Sequence, residues 1–454
     1  VPQDPAEERA AQALETAEIT ATLDLALRIG ELLLSSGAGA SDVSAAMQNV
    51  ARACGLRGGF TADVTFTELT VAHQPAPERP AIVQLRQVRY RTVDYGDLTG
   101  VDHLLRELAD GRLDRAGATA RLNAITSTGH SRPRWSVSAA LAVMGGGVAL
   151  VLGGDGVVVL VAALAAVLVD VLQQRMGRRR LPAFYQQVAG GLLATLIAVA
   201  VAATPADVSP SLVISTSIVL LLAGVNFLGA IQDALTGFPV TANARMLEAF
   251  LATAGIVAGV SGGLQVAELA GVELGTVTPG ATSIADLPAM VAGGALAAGA
   301  YAFSAYAPAR SIGAIALVAG AAIAVYAVAL ERGVSTAWSS ALAAVLLGFL
   351  SYPVAARVRI PSLVVVAAGI TPFLPGLSIY RGLTLVGSEP SAALLAMATA
   401  AGIAISLSSG AILGEYAAQP VRREAHRLEN RLANPRLVGP HRVHRPRVRR
   451  RRQG

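Results

Sequence analysis

The chain has 454 residues, 53% of them hydrophobic and 15% charged, with a formal net charge of +6, against about 25% charged in a typical soluble protein. Residues 1–134 hold 14 Arg and 17 acids, residues 135–416 hold 10 and 11, and residues 417–454 hold 12 and 2. A middle so poor in charge excludes a single soluble domain and a disordered chain, and describes a polytopic membrane protein with polar extensions at both ends. Cys54 is the sole cysteine, so neither an intrachain disulfide nor a Cys-based zinc site is available, and no cofactor is expected. There is no Lys, hence no G-x-x-x-x-G-K-[ST] phosphate loop and no direct drive by ATP. Val1 to Arg28 lacks the apolar core of a signal peptide, so no secretory cleavage is expected.

In chain order, residues 15–35 place Ile19, Leu23, Ala26, Leu27 and Gly30 on one helical face. Ser41 is the predicted N-cap of a second helix over 42–54. Alternation through Val64, Phe66, Leu69 and Val71 predicts a strand in 63–72, and Ile82, Val83, Leu85, Val88 and Tyr90 a second in 81–91. Helical spacing returns over 97–125. Residues 1–130 are therefore read as a small α+β cytoplasmic domain. Its candidate nucleophiles and bases are Cys54, His73, Asp94 and His103, and no spacing joins them into a catalytic constellation. Cys54 reads as a small buried hydrophobe, the histidines as surface groups, and the domain as a regulatory or assembly module rather than an enzyme.

Ten apolar runs of membrane-spanning length follow, at roughly 135–153, 156–172, 185–203, 211–231, 246–265, 287–306, 312–330, 336–354, 361–380 and 391–413. Arginines flank alternate junctions: Arg132 and Arg134 before the first run, Arg175 and Arg178–Arg180 after the second, Arg245 after the fourth, Arg310 after the sixth, Arg357 and Arg359 after the eighth, Arg422 and Arg423 after the tenth. The opposite loops carry Asp155, Asp207, Glu268, Glu273 and Asp286, with only Arg332 and Arg381. The positive-inside rule then puts both termini in the cytoplasm of a plasma-membrane protein. The tail, 417–454, is expected to be disordered, with anionic lipid a better partner than nucleic acid for Arg442, Arg445, Arg447 and Arg449–Arg452.

The fourth and ninth runs resemble each other. Ala223-Gly224-Val225-Asn226-Phe227-Leu228-Gly229 matches Ala368-Gly369-Ile370-Thr371-Pro372-Phe373-Leu374-Pro375-Gly376 with two prolines inserted. From Gly229 to Gly255 is 26 residues, as from Gly376 to Gly402, and Ser261 and Gly263 match Ser408 and Gly410. Five runs per half is an odd number, so the halves, 131–266 and 267–416, enter the membrane from opposite sides. The expected fold is an α-helical polytopic membrane protein of ten transmembrane helices in two inverted five-helix repeats, the arrangement of many secondary transporters.

Three stretches, Leu27–Ala38, Ile231–Gly237 with Ala244–Ala249, and Thr371–Gly376, resemble the bacterial threonine/serine exporter family over about residues 20 to 415. The chain departs from that pattern at Ser41-Asp42-Val43-Ser44, where the family tends to an Arg-Val-Glu-like stretch. The resemblance implies export of threonine and serine driven by protons. Composition and spacing alone give a secondary transporter. A channel or facilitator for another small polar solute is the competing reading, and a membrane-bound enzyme working through its soluble domain is a third. Association between copies is left open.

Charged groups at membrane depth are functional candidates. Asp233, Arg245 and Glu248 flank a polar hairpin, Thr236–Asn243, expected to dip into the membrane as a non-helical segment. Asp233, Glu248 and Asp170 are the candidate proton-coupling carboxyls, with Arg245 as their gating partner. Substrate contacts are assigned to Asn226, Thr371, Pro372, Pro375, Thr236, Thr241 and Asn243: Pro372 and Pro375 break a helix and free carbonyls for an ammonium group, while the side-chain oxygens suit a hydroxyl. The plainer readings are a packing kink at the prolines and a cytoplasmic loop with an Arg–Glu pair.

Overall fold

The computed structural model describes residues 5–433, apart from 57, 90, 128, 130–131, 205–208, 223, 273–279 and 281–283. Asp207, Glu273 and the terminal arginine cluster thus lie outside the described residues, as does the Tyr90 of the second strand reading.

The amino-terminal part is a three-stranded antiparallel meander, β1 (Phe60–Val64), β2 (Glu68–His73) and β3 (Ile82–Gln87), packed with α1 (Pro5–Ser35), α2 (Ala40–Ala53), α3 (Tyr95–Ala109) and α4 (Arg115–Ser127). Several of its elements differ from those expected. The alternation over 63–72 crosses a hairpin: Val64 pairs with Leu69, and 65–67 is the turn. In β3 the register sets His73 against Ile82 and Leu69 against Arg86, so Val83 and Leu85 point outward and are exposed. Side chains alternate with period two, so Ile82 and Val83 cannot share a face. Arg86 instead reaches α1, 3.2 Å from Glu31 and 3.8 Å from Asp24. The 97–125 helix is two helices, parted at Gly111, which has φ +70°. The N-cap of α2 is Gly39, not Ser41, and no side chain caps it. His73 is buried, contrary to its surface reading. Cys54 packs partly buried at the core edge, where burial pushes its thiol up from the ordinary range.

Among the described residues twelve helices make the membrane part: α5 (Arg134–Val151), α6 (Gly156–Arg178), α7 (Ala183–Ala202), α8 (Pro210–Leu221), α9 (Gly224–Leu235), α10 (Pro239–Leu269), α11 (Leu287–Ser304), α12 (Ala309–Glu331), α13 (Thr336–Val358), α14 (Ser362–Gly369), α15 (Gly376–Leu385) and α16 (Pro390–Ala433). Nine segments among the described residues are long and apolar enough to cross a membrane, counting 362–385 as one, and Pro210–Leu221 is a shorter apolar helix. The fold is that of a polytopic helical membrane protein.

Two breaks set the shape. The run 211–231 is not one helix: α8 ends at Leu222, whose ψ of 126° is extended, and α9 continues after it. The run 361–380 stops at Gly369, makes a 3-10 turn over Thr371–Phe373, and restarts at Gly376. The hairpin expected over 236–243 is a short turn, 236–238; Pro239 starts α10, where its fixed φ and missing N–H suit a first turn. The last helix runs to Ala433, so the first part of the segment expected to be disordered is helical.

Packing pairs the elements in corresponding ways. α10 lies along α7 as α16 lies along α13; α5 packs on α6 as α11 on α12; α7 meets α8 as α13 meets α14. α5 and α11 cross each other at glycines. A Cβ on Gly147 would lie 2.7 Å from the Gly293 carbonyl oxygen, and one on Gly293 2.6 Å from that of Gly147, so only glycine permits this approach.

Candidate functional site

Two places in the membrane part hold unusual chemistry. The first is the break between α14 and α15. In a continuous helix the Ala368 carbonyl would accept from residue 372, which is proline and has no N–H. Phe373 N–H, the helical donor for Gly369, turns to Ile370 O at 3.0 Å. Two carbonyls thus lose their helical donors inside a buried segment, since Ala368, Gly369, Thr371 and Pro372 are all buried. Phe373 is fixed edge-to-face on Tyr326 of α12, with centroids 5.5 Å apart. At Gly376 the restarted chain meets α8, in backbone contact with the Ser215 carbonyl. α8 is apolar except for Ser211, Ser215, Thr216 and Ser217, all buried. Ser215 and Ser217 bond back to their own helix at 2.6 and 3.0 Å. Thr216 Oγ1 is buried without a hydrogen-bond partner. An unsatisfied buried hydroxyl is costly, so it marks a place where a ligand group can be accommodated.

The second place is the turn between α9 and α10. Arg245 Nε lies 3.1 Å from Asp233 Oδ2, and the two residues are 3% and 0% exposed. Buried charges need several partners each. These come from the amino-terminal domain: Asp233 Oδ1 accepts the Ala40 N–H at 2.7 Å, and Arg245 Nη2 donates to Ala38 O at 2.6 Å. Gln232 Nε2 is 3.4 Å from Asp42 Oδ2, and Thr241 donates to Val64 O at 2.9 Å. The charge of Glu248 acts on both Arg245 and Arg91, whose own guanidinium stacks 3.3 Å from the Phe66 ring.

The same domain touches two further junctions. Tyr95 N–H donates to Ala305 O at 2.8 Å in the α11–α12 turn, with the Tyr95 and Tyr301 rings edge to face. His103 Nε2 lies 3.0 Å from Arg359 O in the α13–α14 turn. One apolar cluster runs from Leu23 and Val101 of the domain through Ala305 and Ala307 to Val364 and Val365 of α14.

The remaining residues singled out from sequence are dispersed. Asp170 accepts from Ser138 and Gln174, each at 2.6 Å, and lies 3.6 Å from Arg134, apart from the Asp233 pair. Thr236 bonds Gln232 O of its own helix, Thr241 serves the domain contact, and Asn243 is exposed. Asn226 sits in α9, and its side chain lies outside the described residues. Thr371 donates to Ala367 O at 3.2 Å, its own helix.

A threonine/serine exporter family model matches residues 24–267, and a second threonine/serine exporter model matches residues 290–417. The chain belongs to the threonine/serine exporter family. It is 36% identical over 418 residues to the probable threonine/serine exporter of Mycobacterium tuberculosis, covering 89% of this chain and 78% of that protein. It is 35% identical over 423 residues to the threonine/serine exporter of Corynebacterium glutamicum, covering 89% of this chain and 84% of that one. No solved structure matches the chain. The gap between the two matched ranges, 268–289, runs from the end of α10 to the start of α11. Sequence reasoning passed over Ala38–Ala40 and Thr216. A hydroxyl-rich stretch inside an apolar run was the available signal for Thr216; nothing local distinguishes Ala38-Gly39-Ala40.

Proposed function

We propose that this chain exports threonine and serine across the plasma membrane, coupled to protons, by alternating access between two inverted five-span halves. The observation carrying the reading is the pair of broken spans, α8–α9 and α14–α15, the second of which restarts at Gly376 against Ser215 and Val219 of α8, ahead of the first break. Transporters bind substrate where such breaks face each other. Supporting it, α5 and α11, the first helices of the two halves, cross each other at Gly147 and Gly293, which stand at nearly the same separation in the chain as Gly229 and Gly376. An element that packs on its own counterpart lies on a pseudo-two-fold axis. The cytoplasmic domain touches the junctions after the fourth, sixth and eighth spans, three of those that the arginine count assigns to the cytoplasm.

In this mechanism the freed carbonyls of Ala368 and Gly369 receive the substrate ammonium, and the exposed amide groups at the start of α15 its carboxylate. Thr216, with Asn226 and Thr371 on the paired breaks, reads the side-chain hydroxyl. Asp233 is the coupling carboxyl, alternately holding a proton and pairing with Arg245, with Glu248 adjusting the balance.

The decisive experiment is counterflow in proteoliposomes. Labelled threonine should exchange without a gradient, and an imposed pH gradient should drive it uphill; exchange indifferent to the gradient would instead mark a facilitator. Orientation is checked separately. In a Cys54→Ser background, Arg178→Cys and Arg357→Cys should be labelled only from the cytoplasm and Ala270→Cys only from outside. Labelling of Arg178→Cys and Ala270→Cys from one side would refute the inverted halves.

A further inference from the structure

The contacts that satisfy the buried Asp233–Arg245 pair come from a peptide, and they have the polarity of an amino acid. Asp233 receives an N–H from Ala40; Arg245 gives its own N–H to the Ala38 carbonyl. A free α-amino acid offers the same two functions in stronger form, an ammonium for the carboxylate and a carboxylate for the guanidinium. The place is built rather than incidental. Its two charged side chains are 0% and 3% exposed, and Asp233 Oδ2 faces Arg245 Nε at 3.1 Å and takes no hydrogen bond from the peptide. The peptide fits closely: a Cβ at Gly39 would stand 3.2 Å from Gln232 Nε2 and 3.4 Å from Asp233 Oδ1. Gly39 has φ −68° and ψ 151°, an extended conformation open to any residue. Glycine at 39 therefore answers the space beside Gln232 and Asp233, not a backbone requirement of its own domain.

We infer that Asp233 and Arg245 form a zwitterion site at the cytoplasmic mouth, that Ala38–Ala40 is its built-in occupant, and that a cytoplasmic amino acid must displace this turn for export to proceed. The inference rests on the proposed export function and adds regulation to it. Little substrate leaves the domain docked and the pair closed; abundant substrate competes it away. The site reads the zwitterion and not the side chain, so alanine displaces the turn as threonine does, and hydroxyl selection is left to the break at 370–376.

The test locks the turn in place in the full chain. In a Cys54→Ser background, Gly39→Cys with Gln232→Cys is oxidised in proteoliposomes. Threonine counterflow should fall to the level of empty vesicles and return on reduction. Counterflow continuing at the unlocked rate would show a merely structural contact and overturn the inference, while absent counterflow in the unsubstituted protein would instead overturn the export reading. If the double variant fails to fold, hydrogen exchange on the unsubstituted protein decides. Saturating threonine or alanine should speed exchange of the Ala40 N–H at least tenfold, whereas threonine amide and N-acetylthreonine, each lacking one charge, should not. Unchanged exchange with threonine, or equal acceleration by the blocked derivatives, would also overturn it.

Discussion

Asp233→Asn is expected to abolish pH-gradient-driven threonine export. The amide keeps the shape of the side chain and can neither release a proton nor balance Arg245. Truncating one member of a buried, hydrogen-bonded charge pair costs about 2–5 kcal/mol, which corresponds to roughly 30- to 5,000-fold in an equilibrium. Part of that loss falls on folding, because Arg245 is left charged and almost fully buried. The double change Asp233→Asn with Arg245→Gln removes this complication by making both groups neutral. It should recover most of the unfolding temperature lost in the single variant, while proton-driven export stays absent. Uphill export with normal pH dependence in the double variant would remove Asp233 from the coupling step and leave Glu248 and Asp170 to be tested. Asp170 is the weaker alternative, since Ser138 and Gln174 already satisfy it at the α5–α6 pair.

The membrane helices were legible because lipid demands long apolar runs, and the prolines at 372 and 375 announced the break by removing helical donors. The matching break after Leu221 carried no proline and was read as a continuous run. Asp233 and Arg245 stood out as charges beside an apolar span, and their pairing followed from proximity in sequence. Their other partners did not. Ala38 and Ala40 lie 207 and 193 residues away and act through backbone atoms, which leave no trace in side-chain chemistry. The same holds for Tyr95 N–H on Ala305 and His103 on Arg359. In the amino-terminal part, strand alternation was visible but its phase was not: Val83 and Leu85 looked as suited to a core as Ile82, and only pairing with β2 decided. The hydroxyls of α8 were passed over, and serines in membrane helices commonly bond their own backbone. Ser215 and Ser217 do so, and Thr216 is the exception that a general rule hides. Threonine and serine as the cargo came from resemblance, not from any residue's geometry.

Replacing Pro372 and Pro375 together by Ala should weaken every amino-acid substrate alike, whereas Thr216→Val should weaken only hydroxylated ones. The proline pair keeps the helix open. Alanine restores backbone N–H groups for the Ala368 and Thr371 carbonyls, and a closed helix returns Phe373 N–H to Gly369, so these carbonyls are lost to an ammonium group. Losing such contacts costs about 1–3 kcal/mol, or roughly 5- to 150-fold in affinity. Because ammonium is common to threonine, serine and alanine, the loss should be uniform across them. Thr216→Val keeps side-chain volume and deletes one buried hydroxyl that has no partner. The unliganded protein should therefore become more stable, seen as a higher unfolding temperature. Binding of threonine should nonetheless fall by the value of one neutral hydrogen bond, about 0.5–1.5 kcal/mol, or roughly 2- to 13-fold, with alanine unaffected. A stabilising change that erodes hydroxyl preference has no explanation in packing alone, since a mere core threonine would gain stability and leave selectivity untouched. Competition by unlabelled threonine, serine and alanine against labelled threonine in proteoliposomes measures both variants. Equal losses for threonine and alanine in Thr216→Val, or unequal losses in the proline pair, would refute this division between the break and α8.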